Sequence, residues 1–242
     1  MIDPDYRRGQ RPANFGKTYP AEVLTPDEVL RLIAACSNRG PSGLRNRALI
    51  IVLWRGGLRV AEALALYPRD VDTAAGVVHV RHGKGDKSRR IGVDPQAAAV
   101  IDGWLERRRR LGIDGRSPVF CTISRDGHGG PGRPMHSSYV RNMVKEAAAR
   151  AGIEKRCHPH GLRHTHAFEL ANEGTPLHLI QAQLGHTSLA TTDRYVRHIA
   201  PVALVAAMQA RSWPSIMPGL VIDEAVAAAS RGVGGAAPAT SP

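Results

Sequence analysis

Apolar residues at Val29, Leu32, Ile33 and Cys36 recur at the three- and four-residue spacing of a helix, and Thr25-Pro26-Asp27-Glu28 precedes them. That tetrad supplies an N-cap, a proline at the first helical position and a glutamate three after the cap, so the spacing predicts a helix from about Thr25. A second helix is predicted over 44–54, where the nearly continuous apolar stretch from Ala48 to Trp54 implies burial on most sides and Gly56-Gly57 supplies the stop. Leu58, Ala61 and Leu64 or Ala65 keep helical spacing as far as Pro68, which places Arg59 and Glu62 on one face. Then the period changes. Val77-Val78-His79-Val80 and Arg89-Arg90-Ile91-Gly92-Val93 read as two short strands, joined by a loop with Gly83, Lys84, Gly85 and Asp86. Ala97, Ile101, Trp104 and Leu105 restore the helical period over 95–110, and Arg107 to Arg110 close it where cations complement the helix dipole.

Residues 127–134, Gly-His-Gly-Gly-Pro-Gly-Arg-Pro, cannot hold regular structure because glycine entropy and proline geometry both oppose it, so they read as a linker within the domain. Helices are predicted at 137–151, 159–173, 176–184 and 188–198, with Gly152, Gly174 and Gly185 as C-terminal stops. Beyond Pro201 an Ala, Val and Met stripe predicts one more, and the Ala/Gly/Pro-rich residues 232–242 read as disordered. The aperiodic, basic start reads as a mobile arm over 1–23, followed by one domain over 24–213 and a tail over 214–242.

Composition sharpens this picture. With 242 residues, 43% of them hydrophobic, the chain can bury one good-sized core. A formal charge of +12 favours a polyanionic partner, because each phosphate neutralised by Lys or Arg releases condensed counterions; the plain alternative is a merely basic protein. Cys36, Cys121 and Cys157 are too scattered for a disulfide framework and point to a reducing compartment. The start lacks the apolar core of a signal peptide, and no stretch approaches the roughly 18 apolar residues of a membrane span. A cytoplasmic protein without membrane contact is expected.

A phosphodiester can be broken without water as nucleophile if a side chain attacks phosphorus, cations stabilise the non-bridging oxygens and an acid protonates the departing oxygen. Tyr195 is the candidate nucleophile; a phenol of pKa about 10 needs a neighbouring base, and His160 and His186 are available. His160 and Arg163, three apart on one helix, can reach one phosphate together, and the planar fork of arginine suits phosphate oxygens. Each residue alone has an ordinary reading: a rim tyrosine, a solvated basic face, an Arg59 to Glu62 surface ion pair, a turn lysine at Lys84 with Lys87 as its competitor, a helix-capping His186. A metal site is the rival for the cluster Cys157, His158, His160, His164 and His166, since His160 and His164 have i,i+4 spacing. No Glu follows the first histidine, no CxxC completes a structural site, and Arg163 would repel a dication. No metal is expected.

Taken in order, Gly57-Leu58-Arg59-Val60-Ala61-Glu62, Gly83-Lys84-Gly85, His160-Gly161-Leu162-Arg163 and Leu184-Gly185-His186 through Tyr195 resemble the catalytic domain of tyrosine site-specific recombinases, the phage-integrase and Xer-type family. The match extends from about Leu24 to His198. The resemblance implies a mainly α fold with a small antiparallel β-sheet (α+β), and a site of Arg59, Lys84, His160, Arg163, His186 and the nucleophile Tyr195, with Glu62 in support. Lys84 would be a proton donor to the leaving 5′-oxygen. Lys87, Arg89 and Arg90 on the hairpin are assigned to DNA contact. It further implies metal- and cofactor-free strand exchange on double-stranded DNA through a 3′-phosphotyrosine, in a homotetramer on paired sites, with an accessory DNA-binding protein as a possible further partner. Typical members carry a helical core-binding domain before the catalytic one, and only about 23 residues precede the first helix here, so that domain is expected to be absent. Two alternatives stand beside this reading: a non-catalytic DNA-binding accessory protein of the same family, and a type IB topoisomerase-like nicking and rejoining enzyme.

Overall fold

Helix α1 (Pro26–Ala34) begins with a reciprocal cap: the Thr25 hydroxyl accepts from the Glu28 N–H at 3.2 Å and the Glu28 carboxylate accepts from the Thr25 N–H at 2.7 Å. The computed structural model to which this helix belongs describes residues 22–37, 39–83, 87–123, 130–185 and 208–209. Helix α2 (Pro41–Trp54) starts three residues before the apolar pattern does, because Pro41 occupies the first helical position after Gly40. Ala48 through Leu53 are all buried, which fits an apolar run without a polar face. Around it pack α4 (Pro95–Arg110), α6 (Pro159–Asn172) and the short α3 (Val60–Leu64), while α5 (Ser137–Arg150) lies on α1 and α3. A final described helix, α7 (Leu177–Leu184), rests on α6 and on the sheet.

That sheet has three antiparallel strands in the order β1 (Val71–Asp72), β2 (Val77–Val80), β3 (Arg89–Gly92). Val77 pairs with Gly92, Val78 with Ile91, His79 with Arg90 and Val80 with Arg89. Val78, Val80 and Ile91 face the core, so the period-2 alternation puts Arg89 on the inner side and leaves Arg90 exposed. The mainly helical architecture with a small antiparallel sheet is the expected one.

Several elements differ in detail from the sequence pattern. β1 has two residues, too few to show any alternation. α3 covers Val60–Leu64 rather than 58–66, because Gly57 is left-handed at φ +61° and Arg59 is the extended N-cap residue, not a helical one. At the end of the expected linker, Gly132 and Arg133 exchange backbone hydrogen bonds of 2.9 Å with Thr122, and Pro134 bridges Cys121; residues 124–129 lie outside the described set. Arg108 does not merely face the dipole of α4: it is buried and donates to the carbonyls of Asp114, Ser117 and Pro118.

The chain divides into a unit of Met1–Pro201 and another of Val202–Pro242, and of the second only Met208 and Gln209, both helical, are described. Residues 1–21 of the basic arm, the helix expected at 188–198 and the tail fall outside the described residues, whereas the last two residues of the arm are held: Glu22 accepts the Arg156 N–H and the Val23 carbonyl accepts from Lys155 Nζ at 3.2 Å. Among those described, no helix is long and apolar enough to cross a membrane.

Candidate active site

The chain leaves α2 through Gly56 and Gly57, and the second glycine is required twice over. Its φ of +61° is a conformation L side chains rarely adopt, and a Cβ there would lie 2.7 Å from His166 Cδ2 and 2.8 Å from Leu184 Cδ2. This turn aims the Gly57 carbonyl at Arg163, whose Nη1 donates to it at 2.5 Å across 106 residues of sequence. The other guanidinium nitrogen of Arg163 donates to the Leu184 carbonyl, again at 2.5 Å. Arg163 is thus only 2% exposed and ties the α2 exit to the last turn of α7.

Two residues after Gly57, Arg59 caps α3, and Glu62 in the first turn of that helix accepts the Arg59 backbone N–H at 2.9 Å. The same carboxylate accepts Arg59 Nη1 at 2.9 Å, and Arg89 closes on it as a fork, Nη1 to Oε1 and Nη2 to Oε2, both at 2.9 Å. Arg163 Nη1 lies 3.9 Å from Glu62 Oε2. Glu62 is 4% exposed, and burial alone would raise its pKa; the hydrogen bonds of Arg89, the Arg59 N–H and the charges of both arginines instead lower it to about 2. It is therefore a fixed anion around which Arg59, Arg89 and Arg163 gather.

α6 starts with His158, whose Nδ1 accepts the Gly161 N–H at 3.0 Å, and Pro159 follows at the first helical position. His160 and Arg163 share this helix but not its depth: His160 is exposed, whereas Arg163 is buried. Partial desolvation, and after it the charges of Arg163, His158 and Arg59, lower the pKa of His160, so its imidazole is neutral at neutral pH. Its ring meets His164 edge-on at 4.3 Å. Burial, followed by the nearby Glu28 charge, raises the Cys157 thiol to about 11, which opposes thiolate ligation next to these histidines. Among the described residues no group of three or more His, Cys, Asp or Glu side chains is placed to hold a metal.

The structure accordingly brings Arg59, Glu62 and Arg163 together, with His160 on the same helix as Arg163. Lys84, His186 and Tyr195 lie outside the described residues, although their chain neighbours Gly83 and Gly185 are described. Of the three cations assigned to DNA contact, Lys87 and Arg90 are exposed. Arg89 is not: its side chain is 12% exposed and bonded inward. Sequence reading missed this role, and the signal was the alternation that puts Arg89 on the same side of β3 as Ile91.

Comparison with known proteins follows the same lines. Residues 22–200 match the model of the phage integrase family. The chain is 37% identical over 194 residues to tyrosine recombinase XerC of Xanthomonas axonopodis pv. citri (strain 306), a match covering 78% of this chain and 60% of that relative's length. Its fold is similar to a crystal structure of XerA recombinase, with a TM-score of 0.67 and 30% identity over 84% of this chain and 70% of the other. It is also similar to XerH site-specific recombinase bound to palindromic difH substrate in a post-cleavage complex, with a TM-score of 0.63, 25% identity, and 77% and 52% coverage. With a family model matched over most of its length, and with its two arginine motifs meeting at one buried carboxylate, the chain belongs to the phage integrase family.

Proposed function

We propose that this chain is a site-specific DNA recombinase that cleaves and rejoins duplex DNA through a covalent bond between Tyr195 and a 3′-phosphate. The observation that carries the reading is the convergence of Arg59 and Arg163 on Glu62 from distant segments of a phage integrase family fold. The similar XerH structure is bound to a DNA substrate, which supports duplex DNA as the partner here.

The Tyr195 phenolic oxygen attacks the scissile phosphorus as the bond from phosphorus to the 5′-oxygen breaks. The phenolic proton passes to a histidine, His160 or His186, and Lys84 protonates the departing oxygen. His160 suits the base role because its lowered pKa leaves it neutral. Arg59, with 29% of its side chain exposed, offers the guanidinium edge that meets the non-bridging oxygens, and Arg163 adds its positive charge from beneath the surface. Ester energy is kept in the phosphotyrosine, so no nucleotide cofactor is consumed; exchange proceeds between paired sites in a cytoplasmic homotetramer.

The test is to incubate the chain with a pool of nicked duplexes of randomised central sequence, trap adducts on a denaturing gel and sequence the trapped DNA. The wild-type chain should form an adduct; Tyr195→Phe should bind the recovered duplex and form none. An adduct with Tyr195→Phe, or none with the wild type, overturns the reading.

A further inference from the structure

β3 runs past the site with Arg89 on its inner side, and three contacts of this one side chain converge where the site's pieces meet. Its fork holds both oxygens of Glu62, the carboxylate that also fixes the Arg59 backbone and guanidinium. Its Nε donates to the Gln183 carbonyl at 3.3 Å, in the last turn of α7, next to the Leu184 carbonyl held by Arg163. Two glycines leave the room it occupies: a Cβ on Gly185 would lie 2.8 to 2.9 Å from Arg89 Nε, Cδ and Cζ, and one on Gly83 would lie 3.2 Å from its Nη1. Gly83 precedes Lys84 and Gly185 precedes His186 in the chain. One guanidinium therefore links the partner of Arg59 to the last turn of α7, in space that a Cβ on Gly83 or Gly185 would crowd.

We infer that Arg89 is a positioning residue for the strand-cleavage step: by gripping both oxygens of Glu62 from the α7 exit, it fixes the carboxylate that presents Arg59 to the scissile phosphate. Resting on the recombinase reading above, the role is distinct from DNA contact, because the guanidinium edges that would meet a phosphate already face Glu62 and Gln183. A planar fork is needed: a lysine has one charge centre and cannot span both carboxylate oxygens while also reaching Gln183. Displacing reacting groups by about 1 Å costs on the order of a hundredfold in rate, so the effect of losing this bridge belongs in the cleavage rate rather than in affinity.

The experiment uses the full chain and the nicked duplex recovered by trapping. Arg89→Met, Arg89→Lys, Glu62→Gln and the Arg89→Met/Glu62→Gln double variant are compared with wild type. For each, the single-turnover rate of adduct formation at saturating protein and the duplex Kd across a salt series are measured. Arg89→Met and Arg89→Lys should slow adduct formation by about tenfold or more, with Kd within about twofold and an unchanged salt slope. Because Arg89 acts through Glu62, Arg89→Met should add less than about twofold to the defect of Glu62→Gln. A salt slope lower by about one with an unchanged saturating rate would mark a phosphate contact and overturn the inference. Full multiplication of the two single defects would also overturn it. Should Arg89→Met fail to fold, Arg89→Lys decides alone, and its cleaving at the wild-type rate sinks the proposal. Failure of the wild type to form any adduct refutes the recombinase reading itself, and this inference with it.

Discussion

Glu62 stays ionised where burial alone would protonate it, because the Arg89 fork and the Arg59 N–H and guanidinium stabilise the anion. With a folded pKa of about 2 against an ordinary 4.5, it contributes stability above about pH 4.5 that is lost as pH falls towards 2. His166 works in a different window. It is buried against Gly57, and neither ring nitrogen has a hydrogen-bond partner among the described residues. Burial first, then the charges of Arg55 and Arg163, lower its pKa to about 4, against a smaller opposing pull from Asp94. The unfolded chain takes up this proton near pH 6.5 and the folded chain only near 4. Stability from this group is therefore complete above 6.5 and falls progressively as pH drops to 4, by on the order of 3 kcal/mol. His166→Gln, which cannot titrate, should flatten the loss of unfolding free energy between pH 6.5 and 4 in urea titrations, leaving the Glu62 window below it. A slope as steep as in the wild type would show that His166 is already protonated, or solvated, in the folded protein.

At the level of elements, the turn from α2 into α3 governs the site, since it delivers the Gly57 carbonyl to Arg163 and the Arg59 N–H to Glu62. Gly57→Ala should therefore cost more than a backbone penalty. Gly152 is the control: it has a similar φ of +64°, but a Cβ there meets nothing within 4 Å, so Gly152→Ala reports left-handed strain alone, about 1 kcal/mol. Gly57→Ala adds clashes with His166 and Leu184 and should lower stability by at least about 1 kcal/mol more, read from denaturation midpoints at equal m-values. Equal losses would mean that the ring and the leucine yield without cost. Elements with strong local signals were legible in sequence: α1 through its capping box, α2 through its apolar run, α4 through its stripe and the stops at Gly152, Gly174 and Gly185, all left-handed in the structure. β1 was not legible, because two residues carry no period. Depth was not legible either. Helical spacing placed His160 and Arg163 on one face, but only packing against the α2 exit and α7 shows that Arg163 lies inside while His160 stays exposed. Arg89 illustrates the same limit on a strand: alternation turned it inward, and the carboxylate that stabilises it there comes from α3, distant in sequence.

For the whole molecule, the excess of 33 Lys and Arg over 21 Asp and Glu overstates what a DNA backbone meets. Arg45 and Arg108 are buried on backbone carbonyls and polar groups, Arg163 on the Gly57 and Leu184 carbonyls, and Arg89 on Glu62. Arg55 is paired with Asp94 and Glu169, and Arg109 and Arg110 with Glu106. Exposed cations such as Lys87 and Arg90 beside the site remain for phosphates, and the number neutralised is set by the cations within reach of the backbone rather than by the net charge of +12. If about five phosphates are neutralised, the slope of log K against log salt is about −4.5, and affinity falls by roughly 500-fold between about 50 and 200 mM salt. Fluorescence anisotropy of labelled duplex across that range checks this directly. A slope near −10 would mean about eleven neutralised phosphates, and so a DNA footprint reaching exposed cations well beyond those beside the site. A flat dependence, with nanomolar affinity persisting at high salt, would instead place recognition in base contacts that the charge distribution does not supply.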